Sequence, residues 1–113
     1  MKHHILPAAK DDILRQFRYY LVDQDKPQVA WRFLSALRST MERIIQMPHG
    51  DSPRRFSREG LRGLRSWPVR EFEDVRIYYL SGEAGVRVIR VLHGRRDVNS
   101  ILEKEGDDTP YGT

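Results

Sequence analysis

The chain has no cysteine. That excludes a disulfide framework, a thiol nucleophile and a zinc site of the finger type. It also lacks any run near the roughly 18 apolar residues that cross a bilayer. Its first residues, Met1-Lys2-His3-His4-Ile5-Leu6-Pro7, lack the apolar stretch of a signal peptide. A soluble, cytoplasmic protein with no membrane contact is expected. Gly60 and Gly63 come without the lysine and hydroxyl of a phosphate-cradling loop. No histidine pair has helical metal spacing: His3 and His4 are adjacent, and His49 lies beside Pro48. Neither a metal nor a cofactor is expected.

Lysine is the other scarcity. None occurs between Lys26 and Lys104, and the chain holds sixteen Arg against four Lys. Residues 51–96 carry eleven Arg against six acids, whereas residues 97–113 carry one Lys against five acids. Guanidinium groups pair bidentately with phosphates and carboxylates and stack on aromatic rings. A basic middle suits nucleic acid or an acidic protein partner, and it suits equally a soluble domain from an arginine-rich proteome.

The 113 residues fit one compact domain, expected over 1–105, with 106–113 as a tail. His3 to Leu6 reads as a short first strand. Pro7 opens a helix whose apolar residues Ile13, Leu14, Phe17, Tyr20 and Leu21 have helical spacing up to about Asp23. Asp11 and Asp12 fall in its first turn, where carboxylates suit the helix dipole. A second helix starts at Pro27, capped by Asp25 or its neighbour. It carries the stripe Ala30, Phe33, Leu34, Leu37, Met41, Ile44 and Ile45 and stops at Pro48. After a polar loop, 49–60, come strands over Leu61–Val69, Val75–Leu80 and Val86–Leu92, the last two joined by a turn at Gly82–Gly85. Asp97 caps a short closing helix through Leu102. The expected fold is α+β: an antiparallel helical hairpin on a small twisted antiparallel sheet of three to four strands, with a short C-terminal helix.

His93 stands at the end of the strongest strand, ahead of Gly94-Arg95-Arg96. With an unperturbed pKa of about 6.5 it suits general acid–base work, and it suits equally a backbone-bonded strand end. Arg65, Arg70, Arg76 and Arg90 form a candidate phosphate-binding or anion-stabilising group, or else pair with Glu71, Glu73, Asp74, Glu83 or helix acids. On regular strands Arg87 and Arg90 face opposite sides, so Arg76 shares a face with only one of them. Trp31, Trp67, Tyr78 and Tyr79 are either core or base-stacking groups.

These segments together resemble the RelE/ParE superfamily of bacterial type II toxins, in its ParE-like, plasmid-stabilisation branch. The resemblance rests on Pro7–Leu14, the helix Ala30–Ile45 with Pro48, Leu64–Val69, Phe72–Tyr79 and, most specifically, Val88-Ile89-Arg90-Val91-Leu92-His93-Gly94-Arg95-Arg96-Asp97. It implies a small toxin neutralised by a cognate antitoxin whose C-terminal segment wraps it. ParE-like members poison DNA gyrase and have no accepted catalytic residues. RelE-like members cut messenger RNA on the ribosome without metal; here that reading would use Arg76, Arg90 and His93. The lysine pair of the RelE-type site has no counterpart, and Tyr111 lies far past the last helix. The resemblance therefore points to a non-enzymatic gyrase inhibitor, with Arg65, Arg70, Arg76, Arg90, His93, Arg95 and Arg96 as its binding residues.

Overall fold

The computed structural model describes residues 3–48, 63–94 and Ile101. The order is β1 (His3–Ile5), α1 (Pro7–Arg18), a π-helical turn (Tyr19–Asp23), α2 (Pro27–Gln46), β2 (Arg65–Val69), β3 (Phe72–Gly82) and β4 (Gly85–His93). The strands form one sheet in the order β1-β4-β3-β2. β2, β3 and β4 are an antiparallel meander, as expected. The sheet as a whole is mixed, because β1 runs parallel to β4. Connectivity allows this: the helical hairpin, β2 and β3 all lie between β1 and β4, and a long connection permits parallel pairing.

Both helices begin on proline, at Pro7 and Pro27, where a missing N–H costs nothing. The cap expected from Asp25 is not made. Asp25 instead takes a left-handed conformation (φ 50), and Lys26 is the N-cap of α2, without a side-chain cap bond. That left-handed residue turns the chain from the π-helical turn into α2. The π-helical turn itself carries a hydrogen bond from Gln24 N–H to Tyr19 C=O at 2.9 Å, five residues back.

One sheet face lies under the helices. Its core joins Ala9 of α1 and Phe33, Ala36, Leu37, Met41 and Ile44 of α2 to Val75, Ile77, Tyr79, Val86, Val88 and Val91 of the sheet. Each large aliphatic or aromatic group buried there contributes about 1.5–3 kcal/mol. Tyr20, Phe33 and Phe72 meet with ring centroids 5.3–5.7 Å apart, so the end of the hairpin packs on the start of β3. The Tyr79 hydroxyl donates to Pro48 C=O at 3.0 Å, which ties the end of α2 to the sheet. The opposite face carries a smaller cluster of Leu64, Tyr78, Ile89 and Leu92, covered in part by Leu6, Leu80 and Ile101. Leu61 and most of the expected closing helix lie outside the described residues.

The hairpin turns explain two further positions. Val69 pairs with Phe72, leaving Arg70 and Glu71 as the turn, with Glu71 at φ 71. Gly82 pairs with Gly85, and Gly85 at φ 120 occupies a region that only glycine adopts without strain.

Candidate functional site

β4 is not regular, and this changes the arrangement of its arginines. Tyr78 pairs with Arg90 while the next residue, Tyr79, pairs with Val88. Ile89 is therefore an extra residue on β4, a β-bulge. Directly paired residues share a face, so the register positions of Arg87 (opposite Leu80), Arg90 (opposite Tyr78) and Arg76 (opposite Leu92) all fall on the face away from the helices, although the Arg90 guanidinium turns past the strand edge to Asp12 of α1. The expectation that Arg87 and Arg90 face opposite sides is corrected: the bulge resets the alternation between them. Val88 stays in the helix-side core, while Ile89 joins the other cluster.

Past the bulge β4 is also a strand edge, because β1 ends at Ile5. β1 pairs with β4 only from Val86 to Val88, and Leu6 N–H extends it by one bond to Val88 C=O. Beyond that point α1 takes over with side chains. Val91 N–H donates to Asp12 Oδ2 at 3.0 Å, and Gln16 Nε2 donates to Val91 C=O at 2.9 Å. Two side chains thus stand in for a neighbouring strand and satisfy both polar groups of Val91. Asp12 is only 1% exposed and does more. Arg90 grips it with Nε to Oδ2 at 2.7 Å and Nη2 to Oδ1 at 2.8 Å, and Arg15 Nη1 reaches Oδ1 at 3.3 Å. Asp11 and Asp12 had been expected in the first turn, serving the helix dipole; α1 begins at Pro7, so its first turn holds no acid and Asp12 lies beyond it. Its position opposite a bulged strand edge is a tertiary fact that helical spacing does not reveal.

Each expected site residue can now be placed. Arg90 is held by Asp12, a helix acid. Arg76 Nε donates to Ser66 Oγ at 3.0 Å, across to β2. Arg65 opens β2, opposite Tyr79 and half-buried. Arg70 is exposed in the β2–β3 turn, and its N–H donates to Thr40 Oγ1 at 3.0 Å. Arg95 and Arg96 lie outside the described residues. His93 opposes Val75, on the helix side of the sheet. The three residues of the nuclease reading do not converge: Arg76 bonds across to β2, the Arg90 guanidinium turns to Asp12 of α1, and His93 has its register position on the helix side. Tyr78 and Tyr79 are buried and Trp67 packs on the core. Trp31 is 61% exposed and meets Phe17 edge-on at 5.1 Å.

His93 borders two adjoining clefts. One, of about 500 Å³, is lined by Arg15, Gln16, Tyr19, Tyr20, Gln24 and His93. The other, of about 330 Å³, adds Glu71, Phe72, Glu73, Asp74 and Val75 to Tyr20 and His93. Burial, then the neighbouring Tyr19 and the Asp74 carboxylate, push the Tyr20 hydroxyl above its ordinary pKa, so it stays a neutral donor. The strand end is held where Gly94 N–H donates to Asp74 C=O. A Cβ at position 94 would come within 3.2 Å of that carbonyl oxygen, hence the glycine after His93. Among the described residues no group of three His, Asp or Glu is placed to hold a metal ion, and no helix is long and apolar enough to cross a membrane.

The molecule is thus a small α+β domain, two helices on a four-stranded mixed sheet, in which Arg15, Arg76 and Arg90 engage the domain's own groups. The same fold occurs in a solved structure described as "Chromosomal ParDE TA system from P. aeruginosa". The match has a TM-score of 0.65 at 13% identity and covers 82% of this chain and 95% of that one. No curated protein matches the chain. The profile of the family described as "ParE toxin of type II toxin-antitoxin system, parDE" matches residues 4–98. The chain belongs to that family and is a type II toxin of a toxin–antitoxin system.

Proposed function

We propose that the chain poisons DNA gyrase in the cytoplasm without acting as an enzyme, and that a cognate antitoxin holds it inactive. The observation behind the non-enzymatic reading is that the cations and the histidine do not converge: Arg76 has its register position on the face opposite His93, and the Arg90 guanidinium is committed to the buried Asp12 of α1. Cleavage of RNA by its own 2′-hydroxyl needs a base, an acid and cations converging on one phosphate. Here Arg90 is engaged by Asp12 and Arg76 by Ser66. The antitoxin would fold its C-terminal segment around the toxin, with acidic residues meeting the arginine surplus of 51–96. Arg65, Arg70, Arg76, Arg90, His93, Arg95 and Arg96 remain the proposed binding residues. Arg70, exposed in its turn, has the least internal constraint among those described.

One observation favours a ribosome-dependent ribonuclease instead: the bulge in β4 gathers the register positions of Arg76, Arg87 and Arg90 on one face. Expression of the chain without its antitoxin separates the readings. The gyrase reading expects DNA-damage signalling, trapped DNA breaks and intact messenger RNA. Cleaved messenger RNA with undamaged DNA would establish the nuclease, and an absent growth defect would leave a module that only binds antitoxin.

A further inference from the structure

The cleft between the π-helical turn and the end of β4 has the composition of a ligand site. Its lining is Arg15, Gln16, Tyr19, Tyr20, Gln24 and His93; the nearest carboxylates lie outside it, Asp12 behind Arg15 and Glu71, Glu73 and Asp74 in the adjoining cleft. The cleft offers a guanidinium, two carboxamides, two phenols and an imidazole. Its volume of about 500 Å³ lies within the roughly 300–1,000 Å³ of small-molecule sites.

Its walls are held from behind. Arg15 is anchored by the buried Asp12 at 3.3 Å, yet its side chain is 59% exposed. Gln16 is fixed by Val91 C=O. The Tyr20 ring packs against Phe33 and Phe72. Tyr19, 49% exposed, meets Tyr20 edge-on at 5.4 Å and leaves ring surface toward solvent. Tyr19 also begins the π-helical turn, a distortion that recurs at functional sites. Groups held in place by their surroundings lose little freedom when a ligand arrives.

We propose that this cleft binds a single nucleotide, free or unpaired within a nucleic-acid strand. The base stacks on Tyr19 and meets the carboxamides of Gln16 and Gln24, while Arg15 and His93 take the phosphate. Stacking tolerates any base because every base has a π-face. Amide side chains hydrogen-bond base edges, and guanidinium matches phosphate geometry. A protein carboxylate would use the cations but leave the aromatic surface and both amides without a role. The site lies between α1, the π-helical turn and the end of β4, joined to Arg90 only through the Asp12 that Arg15 and Arg90 share, and does not depend on which target the toxin attacks.

The test is a titration of the purified full-length chain, followed by amide chemical shifts. The probes are adenosine monophosphate, inorganic phosphate, glutamate and a short single-stranded DNA. Binding of the mononucleotide at least tenfold tighter than phosphate or glutamate is expected, with shifts at Tyr19, Gln24 and His93. Arg15→Gln and Tyr19→Ala should each weaken it tenfold or more at unchanged circular dichroism. Arg87→Gln, on the face away from the helices, should leave it unaltered. A strand binding more tightly than the mononucleotide assigns the nucleic-acid source, and equal binding assigns the free nucleotide. Phosphate or glutamate binding as well as the nucleotide, indifference to Tyr19→Ala, or no shifts at millimolar nucleotide would overturn the proposal.

Discussion

Asp12→Ala should be among the most damaging single substitutions in this chain, although it removes one carboxylate from a helix facing the sheet edge. Asp12 accepts from Val91 N–H at 3.0 Å, from Arg90 Nε at 2.7 Å and Nη2 at 2.8 Å, and from Arg15 Nη1 at 3.3 Å. The Arg90 side chain is 13% exposed and that of Asp12 1%. Removing one member of a buried ion pair costs about 3–5 kcal/mol, because the other charge stays behind uncompensated. An orphaned buried N–H adds about 1–3 kcal/mol. The two overlap, since water entering the cavity would serve both, so the expected loss is about 4 kcal/mol. Against a total of about 5–15 kcal/mol for a domain, that is a large share.

Asp12→Asn keeps the shape and one acceptor and should lose about half as much. The double substitution Asp12→Leu with Arg90→Met removes both charges, and apolar replacement of a buried pair is often close to neutral. It should therefore be more stable than the sum of the single losses by about 2 kcal/mol. Urea unfolding followed by circular dichroism measures the wild type, these variants and the single Asp12→Leu and Arg90→Met chains. A loss under about 1 kcal/mol for Asp12→Ala, or additive single losses, would refute the assignment of Asp12 as the clamp between α1 and the bulged strand.

Two smaller effects follow from the same structure. Gly85→Ala should cost roughly 1–3 kcal/mol, because φ 120 at the β3–β4 turn strains any side chain; an unchanged urea midpoint would contradict the turn geometry. The raised pKa of Tyr20 makes its contribution to stability complete below the ordinary value of 10.0 and lost as pH rises through the higher folded value. Urea midpoints measured across that alkaline window should fall, and Tyr20→Phe should flatten part of the fall.

The two helices, the meander and the family were legible because each rests on local signals: proline starts, a 3.6-residue apolar stripe, β-branched runs and paired glycines. The helix that opens at Pro7 does reach Asp23, but its last turn widens to π geometry at Tyr19, which apolar spacing does not register. The parallel placement of β1 depends on where three residues dock, and no local pattern states it. The bulge did leave a trace. Val88 and Ile89 are adjacent apolar residues between Arg87 and Arg90, a spacing that a regular half-buried strand does not produce, whereas an extra residue does. Asp12 left no trace, because an acid early in a helix looks the same whether it serves the dipole or a strand edge. The cleft at Tyr19, Tyr20 and Gln24 was missed for a similar reason: its residues come from α1, the π-helical turn and β4, and only the packing brings them to His93.

The central claim, a toxin that binds gyrase rather than an enzyme that cuts RNA, is tested most directly by purified components. The chain, freed of antitoxin, is added to DNA gyrase with relaxed plasmid and ATP, and in parallel to translating ribosomes with messenger RNA. Loss of supercoiling with accumulation of gyrase-bound cleaved DNA, and uncut messenger RNA, is the predicted result. Undisturbed supercoiling together with messenger RNA cut on the ribosome, abolished by Arg76→Ala in a folded chain, would contradict it.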